Sequence, residues 1–169
     1  MNYKILRKSI LFYFFITFTQ TGLLSGETTG MPIADTDYRE RVYSLNLQIE
    51  LQYNSQVEEM IEFYVEKNKK LSATLLGRAE MYFPYIEPVL LNENLPLELK
   101  YLPVLETGLL PYAQSGAGAA GLWQFMEGTG SSYGLNITNA VDERRDPEKS
   151  TMAAAQYLKK LYSIYKDWT

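Results

Sequence analysis

The sequence predicts an all-α fold, and three observations carry that prediction. Apolar side chains recur at helical spacing in separate stretches: Val57, Met60, Ile61, Tyr64 and Val65; Leu95, Leu99 and Leu102; Ala154, Leu158, Leu161 and Tyr165. Helix-start signals stand ahead of them, with Ser55 and Glu58 spaced as a capping box and Asp146-Pro147-Glu148 placing a cap, a proline and an acid in order. Only one stretch, Leu45 to Tyr53, alternates with period two, and it has no obvious second strand to pair with.

From the N-terminus, Lys4, Arg7 and Lys8 precede an apolar run from Ile10 to Phe18 and then small and polar residues including Gly22, Ser25 and Gly26. This is the layout of a secretory signal peptide, too short for a comfortable membrane span, so residues 1–26 are expected to be a leader. No cysteine follows the run, which excludes lipid attachment there, and membrane association is expected only through an uncleaved N-terminal segment. Residues 27–93 are expected to form a linker, which reads as such over 27–40, and an N-terminal helical arm. The arm should contain one extended segment over 45–53, a helix over about 56–68, another near 72–82 and a third from Pro84 to about Glu93.

A helix is then expected over about 96–107, bent by Pro103, which removes a bond to the carbonyl four residues back. In it Glu98 and Lys100 point away from the leucine stripe. A glycine-rich connection over 108–121 follows, then a short helical piece, then a loop through Gly128, Gly130 and Gly134. The last helix starts at Asp146-Pro147, with Lys159, Lys160 and Lys166 outside.

Residues 116–125 read GAGAAGLWQF, and Gly116, Gly118 and Gly121 have the spacing of a dinucleotide-binding loop. Such a loop needs a buried strand before it and a helix after it within a βαβ unit. Here ETGLLPYAQS precedes, broken by Pro111, and Gly128 and Gly130 follow within ten residues. The cofactor reading is set aside, and no cofactor is expected. The glycines instead suit tight turns, close approach of a polymer to the backbone, or a compact connection between helices.

Composition narrows the chemistry further. Loss of residues 1–26 removes three cations and no acid, leaving 13 basic against 20 acidic side chains, or −7. Such a surface is a poor binder of polyanions, and no nucleic acid partner is expected. The chain has no cysteine and no histidine. Histidine-based nucleophilic catalysis and most zinc sites are therefore excluded, no metal is expected, and acid-base work falls to carboxylates, lysines or tyrosines.

One carboxylate stands out. Extending the Leu95, Leu99, Leu102 stripe by four residues lands on Glu106, an acid where the next core residue should be. Burial disfavours the ionised form and raises a carboxyl pKa, as a general acid near neutrality requires. The alternative is a structural ion pair with Arg144 or Arg145. Two-acid glycosidases need a second carboxylate about 5 to 9.5 Å away, but the candidates Glu127, Asp142, Glu143 and Asp146 lie on no apolar face, and Asp146 already caps a helix. Arg144 and Arg145 are expected to tie the loop to the domain.

The stretches LPLELKYLPVLETGLLPYAQSGAGAAGLWQFMEGTGSSYGLN and VDERRDPEKSTMAAAQYLKKLY carry a specific combination: an acid closing a helix, Pro and Ser spaced after it, then Gly-Leu-Trp-Gln-Phe. Over about residues 41–168 the chain resembles the membrane-bound lytic murein transglycosylase D group. The resemblance implies a lysozyme-like, goose-type all-α catalytic domain over residues 94–169, preceded by the helical arm. Glu106 matches the single catalytic acid/base, Ser115 a serine that contacts substrate, Gln124 a glycan-contacting glutamine and Met126 a residue lining the groove. Thr107 stands where the family usually has Ser. Phe125 and Tyr133 are candidates for substrate contact, with a core role as the competing reading that Trp123 shares.

The resemblance further implies peptidoglycan glycan strands as partner and cleavage of the MurNAc-GlcNAc β-1,4 bond with a 1,6-anhydromuramoyl product. The expected protein is exported to the periplasm or cell envelope and monomeric. Family members continue past the Asp167-Trp168 pair into a helix with an Ala-Tyr-Asn motif, so the domain is expected to be incomplete at Thr169. A non-catalytic peptidoglycan-binding protein and a hydrolytic muramidase on the same fold stay open as alternatives.

Overall fold

The computed structural model describes residues 38–49 and 52–168. The leader expected over 1–26, most of the linker, Glu50 and Leu51 lie outside them. Among the described residues six α-helices run in order: α1 Tyr38–Ser44, α2 Ser55–Glu62, α3 Lys69–Asn92, α4 Leu102–Thr107, α5 Glu127–Ser132 and α6 Pro147–Tyr165. Among the described residues there is no strand, only the isolated bridges Gln114 to Ala120, Ala120 to Phe125 and Ile137 to Asp142. No described helix is long and apolar enough to cross a membrane.

The arm has its own small core, in which Val42, Val57 and Ile61 pack with Tyr38, Leu45, Tyr53 and Val65. The linker expected to reach residue 40 thus gives way to α1 at Tyr38. Asn54, not Ser55, caps α2: its backbone is extended and its Oδ1 accepts from the Val57 N–H at 3.0 Å. The helix expected over 56–68 is α-wound only to Glu62 and continues as a π-helical turn over Phe63–Lys67.

Residues 45–49 keep the predicted alternation, with Leu45 and Leu47 half-buried, Ile49 buried, and Asn46 and Gln48 exposed. They form no strand, and among the described residues their backbone has no bridge partner. The Gln48 N–H instead donates to Glu98 Oε1 at 2.7 Å.

The two helices expected over 72–82 and 84–93 are one helix, α3, with Pro84 and Pro88 inside it. Ser72, Leu75, Ala79, Phe83, Ile86 and Leu90 are its buried side chains, and their spacing runs unbroken past both prolines. Each interior proline costs about 3 kcal/mol. Burying Leu75, Phe83, Ile86 and Leu90 contributes about 1.5–3 kcal/mol apiece, enough to hold the helix straight through. Both prolines are exposed, so their rings and missing donors face away from the core.

The next segment changes winding rather than bending. Leu97–Tyr101 is a 3₁₀ turn, and Pro103 sits in the first turn of α4, where its absent N–H would be unbonded in any case. Leu95, Leu99 and Leu102 are buried as the stripe required. Glu98, expected outside, is buried at 4% exposure. The short helix expected ahead of the glycines is α5, which contains Gly128 and Gly130. Asp146 caps α6 as predicted, its Oδ1 accepting from the N–H groups of Glu148 and Lys149 at 3.0 and 2.9 Å.

The helices α3 and α6 pack along each other, and the 3₁₀ turn packs on α3. The main core between them holds Ile86, Leu90, Leu99, Leu102, Leu122, Ala155 and Leu158. Ala154 and Leu158 bury as the last helical stripe predicts, while Tyr165 at its end is exposed.

Candidate active site

Glu106 closes α4 in the position the stripe predicted. Its side chain is half-buried, and Oε1 is shielded from solvent without a hydrogen-bond partner. Burial pushes its carboxyl pKa above the ordinary glutamate value. The structural alternative fails, because neither Arg144 nor Arg145 pairs with it. Both go to Asp142, at 2.8 and 3.3 Å.

The helix end that carries Glu106 is wired tightly. Thr107 Oγ1 donates to the Pro103 carbonyl at 2.9 Å and accepts from the Leu110 N–H at 3.3 Å. Gly108 and Leu109 both adopt left-handed backbone, each with φ 59. For Leu109, a fully buried γ-branched residue, that conformation is strained and persists only because its surroundings fix it.

The loop after α4 folds back on itself. Ser115 Oγ accepts from the Ala119 N–H at 3.0 Å, and the Ser115 N–H donates to the Ala119 carbonyl. Ala120 and Phe125 exchange both backbone bonds, which turns the intervening Gly121 to Gln124 into a tight corner. Gln124 sits at its tip with φ 49, a second strained residue, and its Nε2 donates to the Gly121 carbonyl at 2.9 Å.

Asp142, Arg144 and Arg145 hold this loop down, as expected of the arginine pair. Arg144 Nη1 donates to the carbonyls of Gly118 and Phe125, and Arg145 reaches the Tyr112 carbonyl and Gln114 Oε1. Two of the other acids have structural partners too. Glu143 pairs with Lys149, and Asp146 caps α6. Glu127 lies exposed in the first turn of α5. Among the described residues no group of acids could hold a metal ion.

A pocket beside the loop is lined by Trp123, Gln124, Phe125, Met126, Thr129, Ala154, Tyr157 and Leu158, which brings Gln124, Phe125 and Met126 to one wall. Phe125 is buried at 5% exposure, whereas Met126 stands out at 47%. Trp123 is core, its Nε1 donating to Thr151 Oγ1 at 3.0 Å. Tyr133 packs edge-on against Tyr157, with ring centroids 5.3 Å apart. Thr107, Ser115 and Glu106 do not line this pocket.

Two residues escaped the reading of the sequence. Tyr157 was not singled out in the last helix, and it lines the pocket wall. Burial, with Tyr133 and Tyr165 nearby, raises its phenol pKa. Glu98 looked like a solvent-facing charge, and its Oε2 is buried without a partner among the described residues.

Residues 86–169 match the transglycosylase SLT domain family. The chain is 37% identical over 123 residues, 72% of its length, to the membrane-bound lytic murein transglycosylase D of Escherichia coli strain K12, and the protein of that name from Escherichia coli O6:H1 matches equally. It is also 34% identical over 93 residues to a putative tributyltin chloride resistance protein of an Alteromonas species, covering 54% of this chain and 45% of that one. The matched stretch spans 27% of the Escherichia coli proteins. The acid at the end of α4, the corner formed by Gly-Leu-Trp-Gln-Phe and the all-helical core fit these matches: the chain belongs to the transglycosylase SLT domain family, with its lysozyme-like fold, and to the group of the membrane-bound lytic murein transglycosylase D.

Proposed function

We propose that the chain is a lytic transglycosylase acting on peptidoglycan glycan strands, with Glu106 as its single acid/base. The observation that carries the reading is the carboxyl of Glu106: half-buried, raised in pKa, with one shielded oxygen unpartnered, while Asp142, Glu143 and Asp146 are committed elsewhere. A protonated Glu106 donates its proton to the glycosidic oxygen between N-acetylmuramic acid and N-acetylglucosamine. The resulting carboxylate then takes the proton of the muramoyl 6-hydroxyl as that oxygen closes on C1. The C1–O bond breaks, a 1,6-anhydro ring forms, the acid regains its proton and no water is consumed.

A single carboxyl is enough for this sequence because the nucleophile belongs to the substrate. Intramolecular proximity does the work that a second, water-positioning carboxylate does in a hydrolase. In this reading Gln124, Phe125 and Met126 contact the glycan at the pocket they line, Tyr157 offers a neutral donor there, and Ser115, Thr107 and Tyr133 shape the loop. Location in the cell envelope belongs to the same proposal, supported by the charged N-terminus ahead of an apolar run and by the relatives' name.

The test is digestion of isolated sacculi by the purified protein and by Glu106→Gln, read by mass spectrometry. Anhydro-muropeptides from the first and none from the second support the proposal. Reducing-end products would make it a hydrolase, and no products from either would make it a binding protein.

A further inference from the structure

The end of α4 is held not only by its own turn but by a side chain from α3. Arg78 Nη1 donates to the Gly108 carbonyl at 2.8 Å, across 30 residues of sequence. Gly108 is the left-handed cap of α4 and lies two residues beyond Glu106. The fit is close: a Cβ on Gly108 would meet Leu75 Cδ2 at 3.3 Å and Arg78 Nη1 at 3.5 Å. Among the described residues no carboxylate pairs with Arg78. A half-buried guanidinium is therefore spent on one carbonyl.

That carbonyl sits at the place where it matters. A helix of six residues has no stability of its own, and its last carbonyls lack partners within it. A cation there satisfies one of them and complements the negative end of the helix. The turn it grips contains two successive left-handed residues, Gly108 and Leu109, the second of them strained. Arg78 also stands ahead of residues 86–169, the part matching the family. The arm's last helix thus reaches into the catalytic segment.

We propose that Arg78 is a positioning residue for Glu106: anchored on α3 and bonded to the Gly108 carbonyl, it fixes the strained turn that ends α4 and so fixes where the carboxyl stands. The proposal rests on Glu106 being the acid/base. Without this bond the turn relaxes and water reaches the carboxyl, which loses both its place and the burial that raises its pKa.

The test uses the full chain with Arg78→Met, Arg78→Lys and Glu106→Gln. Turnover is measured on solubilised glycan strands, and the Glu106 carboxyl is titrated by carbon-13 NMR without substrate. Arg78→Met should lower kcat by about 10- to 100-fold with KM changed less than about twofold, as expected for a small misplacement of a reacting group. Its Glu106 titration and the basic limb of its kcat profile should move to lower pH, and Arg78→Lys should recover part of both. An unchanged kcat and titration in folded Arg78→Met overturns the proposal. So does a raised KM with kcat intact, which would make Arg78 a substrate contact. If Arg78→Met does not fold, Arg78→Gln is read by the same criteria, and failure of every Arg78 variant to fold also overturns it. Activity retained in Glu106→Gln would sink the reading of Glu106 instead, and the titration would still decide whether Arg78 controls that carboxyl.

Discussion

Gly121 faces the backbone of Arg144 so closely that a Cβ on it would fall 1.6 Å from the Arg144 carbonyl oxygen. Its φ of 82 is itself a conformation that side chains disfavour. Gly121→Ala should therefore cost more than about 3 kcal/mol in urea unfolding, because backbone must move. Gly116 has nothing within 4 Å of its would-be Cβ, and Gly116→Ala should lie within about 0.5 kcal/mol of the parent. Equal effects at the two positions would show that the close approach does not govern stability. The glycines that imitate a dinucleotide loop thus differ in purpose, and Gly121 serves the close approach of the loop to the turn that holds Arg144.

Burial raises the Glu106 carboxyl pKa, so the folded state holds that proton more tightly than the unfolded chain. Its contribution to stability is then full below the ordinary glutamate pKa, about 4.3, and is lost as pH rises through the raised value. Glu106→Gln should melt close to the parent near pH 4 and above it at pH 7, while activity on sacculi falls at least about 100-fold. A variant less stable than the parent at pH 7 would contradict the burial argument.

Asp142 behaves in the opposite sense. The hydrogen bonds from Arg144, aided by the charges of Arg144 and Arg145, hold its carboxyl below the ordinary aspartate value. Stability from this group is present above about pH 3.9 and is lost as pH falls through the lowered folded value. Asp142→Asn leaves two arginines short of a counter-charge and should cost about 2–4 kcal/mol at pH 7, with the difference from the parent shrinking in acid. Chemical denaturation at pH 7 and below pH 3 measures both parts.

Gln124 separates stability from recognition. Its left-handed backbone costs about 1–3 kcal/mol that a glycine would not pay. Its amide also bonds the Gly121 carbonyl, worth about 0.5–1.5 kcal/mol. Gln124→Gly should melt at or above the parent, Gln124→Ala below it, and both should bind glycan more weakly. Calorimetric titration with soluble glycan strands beside thermal melts tests the split, and unchanged binding in both variants would remove Gln124 from the site.

Part of this arrangement was legible from residues alone. Glu106 announced itself by breaking a leucine stripe and Asp146 by preceding a proline. Each signal is local, within about one or two helical turns. What was illegible depends on contacts distant in sequence. Glu98 looked exposed because its partner, the Gln48 N–H, is 50 residues away. Pro84 read as a helix start because proline usually is one there, while the stripe from Leu75 to Leu90 that overrides it is visible only if the helix is counted through. Asn54 displaced Ser55 as cap because both suit the position and only the entry angle of the chain chooses.

The unbroken course of α3 through Pro84 and Pro88 bears on how this protein can be dissected. The family match opens at residue 86, in the middle of that helix. A fragment starting there would keep Ile86 and Leu90 but shed Leu75, Ala79 and Phe83 from the same seam, and Arg78 with them. Its remaining helical stub, residues 86–92, would carry Pro88 in its first turns with no preceding turn to hold it. The smallest piece able to fold by itself therefore starts no later than Lys69, and homology boundaries alone would choose the wrong cut.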